Sequence, residues 1–175
     1  MKIFKDSYLL ILFSLFSLIT TSVPSTADCC PASWILWGQH CYYFQFVNTE
    51  GWQDAENRCK AMALCDRPSH LASVHSREEQ NFLYEVLRLA APPESSWGPS
   101  LYIGLLVGNS QTQMSWTDGS CVDYTNWIGV EPNNAPGSVG MISNGIGRLG
   151  GWHDRSSGGL AADKYVCKMP KNERC

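Results

Sequence analysis

No two of the eight cysteines stand in a Cys-x-x-Cys arrangement, which argues against a structural zinc site. No Asn-x-Ser/Thr sequon is present, so N-glycosylation is not expected. Basic residues are in the minority, 13 against 16 acidic for a net charge of −3, and a chain without a basic surface is not suited to nucleic acid. Long apolar runs are scarce too. The run from Tyr8 to Ile19 falls short of the about 20 residues that a membrane-spanning helix needs. With Lys2 and Lys5 ahead of it and the small residues Ser25 and Ala27 behind, it reads as a secretory signal over residues 1–27, cleaved before Asp28. Without Lys2, Lys5 and Asp6, residues 28–175 form one exported domain with 11 basic and 15 acidic residues, long enough for a real core. In an oxidising destination the cysteines are a disulfide framework before anything else.

What is present is ordered along the chain. From Asn48 onward, Trp52, Ala55, Cys59 and Met62 recur at spacings of three and four, the period of one helix face. Ser76 and Glu79 form a capping box ahead of a second apolar stripe, Phe82, Leu83, Val86, Leu87 and Ala90, which Pro92 and Pro93 stop. Leu101 to Val107 reads as a buried strand between Pro99 and Gly108, and Lys164 to Lys168 as a last strand carrying Cys167. Twelve of the 15 glycines fall between Gly104 and Gly159, with Trp116, Trp127 and Trp152 among them. That half is expected to be loops bent sharply around aromatic anchors, and long loops inside a compact domain are usually functional. Trp34 and Trp37 are expected to anchor the core near the termini.

Taken in order, Cys30-Pro31 with Trp34, Cys41-Tyr42-Tyr43-Phe44, Trp52-x-x-Ala55-x-x-x-Cys59, His70-Leu71-Ala72-Ser73-Val74, Tyr102-Ile103-Gly104-Leu105, Trp116-x-Asp118-Gly119, Tyr124-Thr125-Asn126-Trp127, Glu131-Pro132-Asn133 and Tyr165-Val166-Cys167 resemble the C-type lectin-like domain, with a core from residue 30 to 169. The resemblance implies an α+β double-loop fold with two helices, a small mostly antiparallel sheet, chain ends close together and a long ligand loop. It also implies disulfides Cys30–Cys41 and Cys59–Cys167. The family's second pair, which staples the ligand loop, falls on no cysteines here: its positions are Met141 and Ser157, or a small deletion has removed one. Cys65 and Cys121 are candidates for a private bridge, and Cys29 or Cys175 for a link between two chains, so three pairings of these four remain open.

The resemblance places a calcium and sugar site on Glu131, Asn133 and Asp154, with a cis Glu131–Pro132 bond. Calcium takes six to eight oxygen ligands. An acidic ligand is expected where Val139 stands and an asparagine where His153 stands. Val139 offers no oxygen and an imidazole suits other metals, so calcium is expected to bind weakly. His153 is expected to be an exposed substitution. The order Glu-Pro-Asn implies mannose, fucose, glucose or N-acetylglucosamine rather than galactose. His40, His70 and His75 lack partners at metal-binding spacing and read as surface or hydrogen-bonded histidines. Ser156, His153 and Asp154 have the residue types of a hydrolytic triad, but adjacent loop residues do not present its geometry. The expectation is therefore a secreted carbohydrate-binding lectin with no catalytic activity. The alternative is a calcium-independent lectin-like domain that recognises a protein, lipid or mineral surface.

Overall fold

The structure, a computed structural model, describes residues 29–47, 51–64, 66–93, 95, 98–110, 112–133, 136–157 and 164–175. The expected signal segment, Asn48 and Cys65 lie outside the described residues. Among the described residues two helices, α1 (Trp52–Ala61) and α2 (Arg77–Ala90), accompany eight strands: β1 (Ile35–Trp37), β2 (His40–Gln45), β3 (His70–Leu71), β4 (Ser100–Val107), β5 (Met114–Trp116), β6 (Ser138–Ser143), β7 (Trp152–Ser156) and β8 (Lys164–Pro170). The strands form one sheet in the order β1-β2-β8-β4-β6-β7, with β3 added to β8 and β5 to β4. All pairs described are antiparallel except β4 with β8, and the α+β class expected from sequence is the class found.

Helix α2 begins and ends for local reasons. At the start of α2 the Ser76 hydroxyl accepts from the Glu79 N–H at 3.1 Å, and the Glu79 carboxylate accepts from the His75 N–H at 2.9 Å. Two otherwise unpaired donors are thereby satisfied. The helix stops at Ala90, ahead of Pro92 and Pro93. Its buried face carries Leu83 and Leu87 into the main core with Leu101, Ile103, Leu105, Ile142 and Trp152. Helix α1 buries Trp52, Ala55 and Cys59 against Leu71, Tyr102 and Cys167, and the Trp52 indole N–H donates to Ile103 O at 2.9 Å. Gly104 lets β4 pass close to its neighbours, since a Cβ there would lie 2.5 Å from Leu71 O.

Cys30 pairs with Cys41, and Cys59 with Cys167. The second ties α1 to β8 across 108 residues, a loop length for which the chain-entropy model gives about 4 to 5 kcal/mol. Cys29 pairs with Cys175, so the terminal cysteines close on each other within the chain and do not link two chains. Cys121 is a free, exposed thiol, which overturns the Cys65–Cys121 bridge.

Between α2 and β8 lies a buried ion pair. Lys168 Nζ donates to Glu79 Oε1 at 2.6 Å and to Ser73 O at 3.0 Å, and Tyr42 Oη donates to the same Glu79 oxygen at 2.5 Å. Glu79 and Lys168 are 4% and 7% exposed. Removing one partner of such a pair leaves a buried charge uncompensated, at a cost of about 3 to 5 kcal/mol. Glu79→Gln is therefore expected to lower unfolding free energy by about that amount in urea denaturation with the disulfides intact. Arg88→Ala, which breaks the exposed Arg88–Glu85 pair, should leave it nearly unchanged, because solvent screens that pair.

Candidate functional site

Trp152 opens β7 and sets the direction in which the strand leaves the core. Its ring, fully buried, meets Trp116, Tyr124 and Trp127 nearly edge-on at 5.9, 5.8 and 5.7 Å, a favourable arrangement for aromatic quadrupoles. Its indole N–H donates to Gln80 Oε1 at 2.6 Å, and the Gln80 amide donates to Gly150 O at 2.7 Å. Asn126 holds the other side, accepting from Trp152 N at 2.7 Å and donating to Gly150 O at 3.0 Å. Gln80 escaped the sequence reading. Its signal was a polar residue three before Leu83 and seven before Leu87, on the face that α2 buries.

Asp154 follows two residues later and is 2% exposed. Its Oδ1 accepts from Asn133 N at 2.7 Å, and its Oδ2 accepts from the Ser138 hydroxyl. Ser138 has no marker in the sequence. The β6–β7 register, which pairs Ser138 with Ser156 and Gly140 with Asp154, brings it there.

The Glu131–Pro132 bond is cis. Asn133 Nδ2 donates to Glu131 Oε1 at 3.0 Å, while Glu131 Oε2 is buried and accepts no hydrogen bond among the described residues. The Glu131 carboxyl is held above the usual carboxylate range, first by burial and then by the neighbouring Asp154 carboxyl. Glu131, Asn133 and Asp154 thus come together as two carboxyls and an amide within one turn and the strand beside it.

These residues fit a hard cation. They offer carboxylate and amide oxygens, and one carboxylate oxygen is buried without a donor. The other two expected positions contribute nothing of the kind. Val139 is fully buried in a cluster with Tyr102 and Met141. His153 was expected to be exposed and is instead 5% exposed, because it pairs with Met141 on the interior strand β6. Burial first, then the charges of Arg155 and Arg148, push its pKa down to about 4, so its ring is neutral at ordinary extracellular pH. Met141 is likewise buried, whereas Ser157 lies in an exposed turn.

Residues 48–169 match the family described as Lectin C-type domain. The chain belongs to the C-type lectin domain family. Echinoidin from Heliocidaris crassispina is 29% identical over 147 residues, which are 81% of this chain and 97% of echinoidin. The crystal structure of CEL-IV superposes with a TM-score of 0.74 at 38% identity, covering 82% of this chain and 96% of that one. A calcium-independent type II antifreeze protein gives a TM-score of 0.63 at 27% identity, covering 82% and 95%. The family consists of binding proteins, and this chain is not an enzyme.

The raised pKa of Glu131 fixes a sign. The folded state holds that proton more tightly than the unfolded chain does, so stability falls as pH rises above the ordinary carboxylate value of about 4.3 and through the raised folded one. In a chelating buffer, the melting temperature of the wild type relative to Glu131→Gln should therefore drop as pH rises above the ordinary carboxylate value. A difference that stays flat, or grows with pH, would contradict the carboxyl arrangement.

Proposed function

We propose that the chain is a secreted carbohydrate-binding lectin, assisted by calcium, with a mannose-type site at Glu131, Asn133 and Asp154. The observation that supports this most directly is the buried Glu131 Oε2, which lacks a hydrogen-bond donor among the described residues and lies beside a second carboxyl. Two neighbouring carboxylates in partial burial repel each other, and a divalent cation relieves that repulsion. Glu131, Asn133 and Asp154 would hold the ion through oxygen. Calcium, when bound, supplies direct coordination to two neighbouring hydroxyls of a sugar.

The chain's own groups do the rest. The Glu131 carboxylate accepts a hydrogen bond from one hydroxyl, and the Asn133 amide donates to the other. Because Asn133 Nδ2 donates to Glu131 Oε1 in this structure, sugar binding exchanges a bond within the loop for bonds to the ligand. With Val139 and His153 giving no oxygen, the residues present would hold the ion weakly, in the range of weak extracellular modules, about 10⁻⁴ to 10⁻³ M. The sugar classes this favours are mannose, fucose and N-acetylglucosamine. A single shallow site binds weakly, so avidity depends on several copies acting together.

A glycan array probed with and without excess chelator tests the reading. Retention on mannose-type glycans that needs calcium and is lost in Glu131→Ala supports it. Binding indifferent to both points to the alternative, a calcium-independent lectin-like domain for a protein, lipid or mineral surface. That second reading is favoured by Val139, by the missing loop disulfide and by the likeness to a calcium-independent antifreeze protein.

Replacing His153 by asparagine returns an amide oxygen to the site and removes a buried ring. Calorimetric titration should then show calcium binding about tenfold tighter, equivalent to about 1.4 kcal/mol. An unchanged or weaker affinity would mean that this position no longer faces the ion.

A further inference from the structure

A groove of about 510 Å³ opens on the part of the sheet where β2 and β3 flank β8, with the turn after β5 as its opposite wall. It lies away from Glu131 and Asp154, which belong to the ligand loop and β7. Its volume is that of an ordinary small-ligand site. Polar side chains of His40, His70, His75, Asp118, Ser120 and Lys168 stand within a lining whose surface is mainly apolar.

Most of these groups are already spoken for. Lys168 donates to Glu79 and to Ser73. Asp118 accepts from the Ser73 hydroxyl at 2.5 Å and from Ser120 N and Oγ at 2.9 and 2.6 Å. His75 is engaged on both sides, with Nδ1 2.7 Å from Asp123 Oδ1 and Nε2 3.1 Å from Ser120 Oγ. The line Asp123–His75–Ser120 has the outline of a nucleophilic triad. The Ser120 hydroxyl, however, is turned to the Asp118 carboxylate at the shorter distance, which leaves no proton for His75 to take.

Two imidazoles remain open. No hydrogen bond among the described residues reaches the ring of His40. Burial, and then Lys168, hold that ring's pKa below its ordinary value, so it is neutral, with one donor and one acceptor nitrogen. His70 sets Nδ1 2.8 Å from Glu56 Oε1, which leaves Nε2 for a ligand. Beside them Pro68, Met169 and Pro170 supply apolar wall.

We propose that this groove is a second, calcium-independent binding site for a neutral polyhydroxylated ligand such as an oligosaccharide. Hydroxyl groups both donate and accept, which matches the open nitrogens of His40 and His70, and the C–H face of a sugar ring suits Pro68 and Pro170. Other ligand classes fit less well. An anion meets Asp118 at the rim and a lysine already neutralised by Glu79. A metal ion lacks a holder, since no group of three His, Cys, Asp or Glu among the described residues stands close enough to bind one.

The test is a titration of the isotopically labelled exported chain, disulfides intact, with mannotriose and maltotriose in excess chelator, following backbone amide shifts. The expected result is shifts at Gly119, Ser120 and Met169 that persist in Glu131→Ala. In His40→Ala the apparent affinity should fall about tenfold, as for the loss of one good hydrogen bond, while His40→Gln, which keeps a donor and an acceptor, binds more tightly than His40→Ala. The ring of His40 is half-buried, makes no hydrogen bond among the described residues and lies edge-on to Tyr42, so these substitutions leave the Glu79–Lys168 network in place. Three results would overturn the proposal: no shift at the groove with either neutral sugar, shifts there only with sulfated oligosaccharides, or an affinity untouched by His40→Ala. Because chelator and Glu131→Ala abolish the loop site alone, failure at one site is distinguishable from failure at the other.

Discussion

The ligand half of the molecule depends on how Trp152 is held. Its backbone pairs with Asn126, its indole N–H with Gln80 and its ring with three other aromatics. One side chain therefore fixes a helix, two loops and the start of β7 relative to one another. Asp154 is only two residues farther on, and Glu131 follows the segment that Asn126 and Trp127 anchor. Loosening the ring would let the two carboxyls drift apart, and their mutual effect on Glu131 would disappear with it. A tryptophan at this point contributes apolar burial of about 1.5 to 3 kcal/mol or more, but its larger consequence is geometric. It converts a glycine-rich segment into a rigid platform for two charged side chains.

The other half rests on a different device. Lys168 and Glu79, with Tyr42 and Ser73, form a closed polar network beneath the groove at β8. Burying a charge pair rarely adds net stability over apolar packing, so its value here is better sought in position. It joins the first turn of α2 to the last strand and orients Ser73, which in turn holds Asp118. The turn carrying Asp118, Gly119 and Ser120 is thus set by the same network that ties the chain's end to its middle. The two candidate sites accordingly have independent supports, an aromatic one for the loop and an ionic one for the groove.

Local physics made much of the fold readable before any coordinates. Ser76 with Glu79, and the apolar stripe that follows, define α2 because capping and helical periodicity act within a few residues. Leu101–Val107 reads as a buried strand for the same reason. Relations across the chain were less accessible. Nothing near Cys29 says that Cys175 lies beside it, 146 residues away. His153 reads as a surface substitution until the β6–β7 register sets it opposite Met141. Ser138 is an unremarked serine until that register turns its hydroxyl to Asp154. His40, His70 and His75 carry no spacing signal, since only the pairing of β2 and β3 with β8 brings them to one groove. The three residues of the sugar motif could be named from resemblance, but the orphaned oxygen of Glu131 could not.

Strand β6 explains why the loop site departs from the family pattern in two places at once. All six of its residues are buried, and Val139 and Met141 share one apolar cluster with Tyr102 and Tyr165. These are the positions where resemblance calls for a metal-binding carboxylate and a bridging cysteine. A buried apolar side chain contributes about 1.5 to 3 kcal/mol, and a lost bridge of this kind costs about 2 to 5 kcal/mol, so the two substitutions together offset the missing disulfide in order of magnitude. In this structure β6 is held by the core, and Asn133 and Ser138 are fixed beside it by their hydrogen bonds to Asp154.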